Sequence, residues 1–117
     1  LPIQYAMAFP QRIANQFPRY DFRTVRNLTF EDPDVKTFRN LALAMEALEK
    51  GGNLACIMNA ANEIAVEAFL AEKIPFLAIA EINAQVVESS KLILAPEYND
   101  YVQADAEARE LAKALIN

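Results

Sequence analysis

Apolar residues return every three or four positions through most of this sequence, the spacing of helices that bury one face. Between Asp32 and Gly52, the residues Phe38, Leu41, Ala42, Met45 and Leu48 keep that period. Asp32 is expected to cap this helix, with Pro33 in its first turn and Asp34 at the positive end of its dipole. Lys50 suits the last turn, and Gly51 can take the left-handed conformation that stops the helix. A second helix is predicted from about Leu54 to Ala71. Leu54, Ile57, Met58, Ala61, Ala65, Ala68 and Phe69 form its broad apolar face. Asn59, Asn62, Glu63 and Glu67 lie opposite, interrupted by Cys56, Val66 and Leu70. A helix apolar on most sides is expected to be the central one, its alanines letting neighbours approach closely.

Pro75 closes the next connection, and "FLAIAEINAQVVES" predicts a third helix over 76–89. Residues 91–104 read as a longer crossing loop containing Pro96 and Asn99-Asp100. A last helix is expected to be capped by Asp105, with Glu107 early and Lys113 late, and Leu111, Ala112, Leu115 and Ile116 as its apolar face. Ahead of these helices the pattern is irregular. "PIQYAMAF" (2–9) predicts two turns of helix that Pro10 limits. "DFRTV" (21–25) and "LTF" (28–30) are strand-like but too short to stand alone. The expected fold class is therefore mainly α: a small four-helix bundle over 35–117, preceded by an irregular extension (1–34) with a short helix and short strands.

Charge sharpens that division. Residues 1–30 carry four arginines (Arg12, Arg19, Arg23, Arg26) against Asp21 alone, a balance of +3; residues 31–117 carry seven bases against fifteen acids, a balance of −8. The net charge of −5 over 117 residues argues against a nucleic-acid partner. With 54% apolar residues and only two glycines, the chain has material for a helical core. The single cysteine, Cys56, excludes an internal disulfide and points to a reducing compartment. No apolar run reaches the length needed to cross a membrane, so no membrane partner is expected. The opening lacks an initiator Met and reads as a piece cut from a longer chain.

Candidate chemistry concentrates in "NAANEIAVEAFL" (59–70). As a site, Asn59, Asn62 and Glu63 would be ligands for a substrate or metal. As a structural cluster, they would satisfy backbone or a helix end beside them. One carboxylate and two amides, with no His, Cys or second nearby acid, make a poor metal set and offer no nucleophile with its base. The structural reading is preferred. Cys56 has no cationic partner on its own helix and reads as a small buried hydrophobe. "FPRYDFR" (17–23) reads as linker packing rather than an anion site. Gly51 and Gly52 alone cannot make a phosphate loop. No catalytic, metal-binding or cofactor-binding residue is expected.

The run "LALAMEALEKGGNLACIMNAANEIAVEAFLAEKIPFLAIAEI" (41–82) closely resembles the C-terminal region of the 1-deoxy-D-xylulose 5-phosphate reductoisomerase family. The resemblance rests on the L-A-M-E-A helix, the N-A-A-N-E block and the I-x-F-x-x-I-A that follows. "MAFP" (7–10), "LTFEDPD" (28–34) and "DAEARELA" (105–112) support it, so it covers essentially the whole chain. It implies a parent enzyme, typically a homodimer, that uses NADPH and a divalent metal (Mg²⁺ or Mn²⁺) to turn 1-deoxy-D-xylulose 5-phosphate into 2-C-methyl-D-erythritol 4-phosphate in non-mevalonate isoprenoid synthesis. It further implies that the N-terminal and catalytic domains, with the metal and substrate ligands, lie upstream of Leu1. By this resemblance, residues 1–34 are the tail of the catalytic domain and the linker, and 35–117 are the helical domain. That domain is expected to be inactive alone and to bind no cofactor. A bacterial cytoplasm, or a plastid stroma, is the expected compartment. The alternatives are a stand-alone helical interaction module, or a small enzyme built on Asn59, Asn62 and Glu63.

Overall fold

The structure, a computed structural model, describes residues 2–116. The chain separates into two compact units, Leu1–Asp32 and Pro33–Asn117.

In the first unit, α1 spans Pro2–Ala8 and buries no residue. The chain after it folds back onto it. Phe9 packs edge-on against Tyr5, the Arg12 guanidinium lies 5.2 Å from the Tyr5 ring centre, and Asn15 donates to Gln4 at 3.2 Å. The two expected strands are absent: no strand forms among the described residues. The reason at 21–25 is local. The Asp21 carboxylate accepts from the Arg23 backbone N–H at 2.9 Å and from its guanidinium, while the Asp21 carbonyl accepts from Thr24 and Val25. Those bonds close a turn, the competing structure that short polar side chains favour. Among the described residues the backbone of 28–30 finds no hydrogen-bond partner, and Leu28 and Phe30 stay exposed.

The second unit is a four-helix bundle: α2 (Arg39–Lys50), α3 (Leu54–Leu70), α4 (Phe76–Ser89) and α5 (Tyr98–Ile116). Its directions follow from specific contacts. Asn62 and Phe69 on α3 meet Asn83 and Phe76 on α4, so these helices are antiparallel. Cys56 and Glu63 reach Tyr101 and Arg109, so α3 and α5 run parallel. Helix α3 packs on all three others, most extensively on α4 and α5. It is the central helix, and its buried residues include Leu54, Ile57, Ala60, Ala61, Ala65 and Ala68. Helix α4 adds Ile79, Ile82 and Val86, and α5 adds Ala104, Ala108 and Ala112. Alanines at every fourth position on α5 against alanines on α3 let two backbones approach closely, which is how a core with few large side chains still excludes water.

Three details of the expected elements are corrected. Asp32 does not cap α2. The Asp34 carboxylate accepts from the backbone N–H groups of Lys36 (3.2 Å) and Thr37 (3.0 Å), and the Asp34 carbonyl accepts from Phe38. This separate turn uses up the donors a longer helix would need, so α2 starts only at Arg39. Asp105 does not cap α5 either. Glu97 and Asp100 exchange bonds, Glu97 N–H to the Asp100 carboxylate at 2.8 Å and Asp100 N–H to the Glu97 carbonyl at 3.1 Å. The helix therefore begins at Tyr98, inside the expected loop, and Asp105 lies about two turns into it. The buried faces also differ. On α2 the buried residue is Ala47, while Phe38, Met45 and Leu48 are exposed; on α5 Leu111 and Leu115 flank the alanine row rather than form the contact.

Gly51 follows α2 with φ +70°, its N–H bonded to the Ala47 carbonyl. Gly52 has φ +62°, and a Cβ there would overlap the carbonyl of Ile93.

Candidate functional site

The polar residues of α3 divide between two places. Asn59 and Glu63, one turn apart, face α5. Asn59 Nδ2 donates to Glu63 Oε1 at 2.9 Å, and Arg109 donates to Glu63 Oε2 at 2.7 Å. Arg109 also grips Asp105, one turn earlier on α5, through Nε (2.7 Å) and a terminal nitrogen (3.1 Å). The Arg109 bond, helped by Asn59, holds the Glu63 carboxyl below its usual range, and the same guanidinium lowers Asp105. These two carboxylates raise Arg109 further above its already high range.

Asn62 turns the other way. Its Oδ1 accepts from Asn83 Nδ2 at 3.0 Å, and the same Nδ2 donates to Asn40 Oδ1 at 3.0 Å. One amide nitrogen thus ties α2, α3 and α4 together. Asn83 is fully buried, and its own Oδ1 has no hydrogen-bond partner among the described residues.

A third polar link sits at the start of α3. Asn53, 1% exposed, donates through Nδ2 to the Lys91 carbonyl (3.1 Å), accepts at Oδ1 from the Ile93 N–H (2.9 Å), and donates its own N–H to the Ile93 carbonyl (3.1 Å). Together with the close approach at Gly52, this fixes the loop that carries the chain from α4 to α5.

The sequence reading singled out Asn59, Asn62 and Glu63 but passed over Asn40, Asn53, Asn83 and Arg109. A signal existed for two of them. Asn83 interrupts the core row Ile79, Ile82, Val86, and Arg109 follows Asp105 at the four-residue spacing of a helical ion pair. Asn40 and Asn53 become recognisable only through partners distant in sequence.

The donor set does not fit a metal. Among the described residues no three His, Cys, Asp or Glu side chains gather where they could hold one. Glu63 and Asp105 already share Arg109, which a cation would have to displace. The glycines do not fit a dinucleotide: Gly51 ends a helix, and Gly52 is pressed against the backbone of Ile93. Cys56 contacts the Tyr101 carbonyl at 3.6 Å, and burial, then Asp105, push its thiol up, away from the reactive thiolate. An open apolar groove of about 560 Å³ lies between the starts of α2 and α4, lined by Phe38, Leu41, Phe76 and Leu77 among others, and holds none of the three α3 polar residues.

Residues 1–111 match the DXP reductoisomerase C-terminal domain. The chain belongs to that family. Among its relatives, the 1-deoxy-D-xylulose 5-phosphate reductoisomerase of Bacteroides thetaiotaomicron is 53% identical over 116 residues, which is 99% of this chain and 30% of that protein. That of Phocaeicola vulgatus is 51% identical across the whole chain and 31% of its own length. The solved reductoisomerase of Zymomonas mobilis, in complex with NADPH, is 41% identical with a TM-score of 0.82, over 99% of this chain and 31% of that one. A reductoisomerase in complex with NADPH, fosmidomycin and magnesium aligns at a TM-score of 0.84 and 34% identity, over 98% of this chain and 30% of that one. The chain thus spans about 30% of the length of the reductoisomerases it matches. No described helix is long and apolar enough to cross a membrane.

Proposed function

We propose that this chain is the C-terminal part of an NADPH- and divalent-metal-dependent enzyme that converts 1-deoxy-D-xylulose 5-phosphate to 2-C-methyl-D-erythritol 4-phosphate. Residues 1–34 are the end of its catalytic domain and the linker, and 35–117 are its helical domain. The parent is a homodimer in a bacterial cytoplasm. The observation carrying this reading is the 53% identity that runs the length of this chain yet covers only 30% of the relative. The exposed surface of residues 2–32 supports it. Phe9, Phe17, Phe22, Leu28 and Phe30 are all more than 60% exposed, a density of bare apolar side chains that suits a segment covered by further protein.

In this reading the chain's own contribution is mechanical. Asn59, Asn62 and Glu63 have a structural role, divided between two contacts that fasten α3 to α5 and to α4, and the bundle supports the catalytic part without touching substrate. The metal and NADPH are held by the rest of the parent. The test is an assay of the intact polypeptide that carries this chain: NADPH is consumed only with 1-deoxy-D-xylulose 5-phosphate and Mg²⁺ or Mn²⁺ both present. The separate 117-residue chain shows no heat of NADPH binding. An intact polypeptide without this activity, or micromolar NADPH binding by the chain alone, contradicts the proposal.

A further inference from the structure

Helix α2 is held differently from the other three. Its buried residue is Ala47, whereas α3, α4 and α5 supply the rest of the core. Met45 and Leu48, on its apolar row, are 46% and 83% exposed. Helix α2 packs on α3 and α4 and makes no contact with α5. Among the described residues its first turn is joined to the bundle by a single side-chain bond, from buried Asn83 to half-buried Asn40. At its far end the chain passes through Gly51 and Gly52, both at positive φ.

We infer that α2 opens separately from the rest of the bundle, pivoting at Gly51, which has open space around it, and that the Asn83–Asn40 bond is the latch that keeps it seated. Helix α2 packs less extensively on α3 and α4 than α3 packs on α4 and α5, so opening α2 costs less than separating those helices. When Asn40 leaves, one N–H of Nδ2 keeps its bond to Asn62, and the other faces the side that the departing helix uncovers. The alanine contacts between α3 and α5 are untouched by the motion.

Hydrogen–deuterium exchange on the whole chain tests this. Amides of 44–50 in α2 are expected to exchange at least about tenfold faster than those of 60–69 in α3. Asn40→Ala should quicken exchange in α2 by a further factor of roughly three to ten, the worth of one hydrogen bond, while α3 and α5 are unchanged. Alanine is the better helix former, so faster exchange would not come from propensity. In an Asn83→Ala background, Asn40→Ala should add nothing. Equal protection of α2 and α3, faster exchange in every helix with Asn40→Ala, or an undiminished effect without Asn83 would each overturn the latch.

Discussion

Single residues carry much of the architecture, and they are not the large ones. Gly52 combines a left-handed backbone with contact against Ile93. Gly52→Ala should cost about 3 kcal/mol or more, from strain plus overlap, read as a shift in the urea midpoint. Asn53 bonds two loop backbone groups from a fully buried position. Asn53→Ala leaves both unpaired and should cost about 2 kcal/mol. Arg109 acts through charge. Its two partners, Glu63 and Asp105, have carboxyls lowered by it, so their stabilising effect is complete above about pH 5 and is lost as pH falls through the folded values, below the ordinary 4.3 and 3.9. The melting temperature of the native chain should therefore decline as pH falls below about 4.3 and through the lowered folded values of these two groups. Arg109→Met should flatten that acid limb while lowering the melting temperature at neutral pH. Identical acid limbs in the two proteins would show that the pairing adds nothing. Asp21 and Asp34, also lowered by their own turn contacts, remain in both and do not affect the comparison.

Among the elements, the helices differ in how readable they were. Helices α3 and α4 match their expected spans to within a residue or two, because Pro75, Gly51 and Gly52 punctuate a strong 3.6-residue period. The starts of α2 and α5 were misplaced for one physical reason. Several short acidic side chains stood near each start, and sequence alone does not say which one captures the backbone donors; Asp34 and Asp100 did, and Asp32 and Asp105 did not. The choice of buried face failed where large residues were favoured over small ones. On α5 the contact is Ala104, Ala108 and Ala112, since alanine allows the closest approach to an alanine-rich α3. This makes the α3–α5 seam intolerant of bulk. Ala108→Leu should destabilise by about 1–3 kcal/mol through overpacking, whereas Leu111→Ala beside it should cost less. A denaturation series that ranked them the other way would move the contact to the leucines. The strand-like runs 21–25 and 28–30 had the composition of strands but no partner in sequence, and short strands do not persist unpaired.

For the whole molecule, composition foretold a helical bundle and the N-A-A-N-E block foretold the family, but neither revealed how that block is used. The block splits, Asn59 and Glu63 going to α5 and Asn62 to Asn83. Its expected neighbours were backbone groups, and its actual partners on other helices are side chains, Asn83 on α4 and Arg109 on α5, which only the folded arrangement brings near. A fastening role predicts that damage to these contacts reaches the parent protein through stability. In the intact polypeptide that carries this chain, assayed for the proposed activity, Glu63→Gln and Asn62→Ala should each lower the melting temperature of the helical domain. Both should leave kcat and KM within about twofold at temperatures where the fold is intact, since groups outside the reacting site touch neither ground nor transition state. A fall in kcat of a hundredfold or more with an unchanged melting temperature would contradict that account and place the cluster in the chemistry.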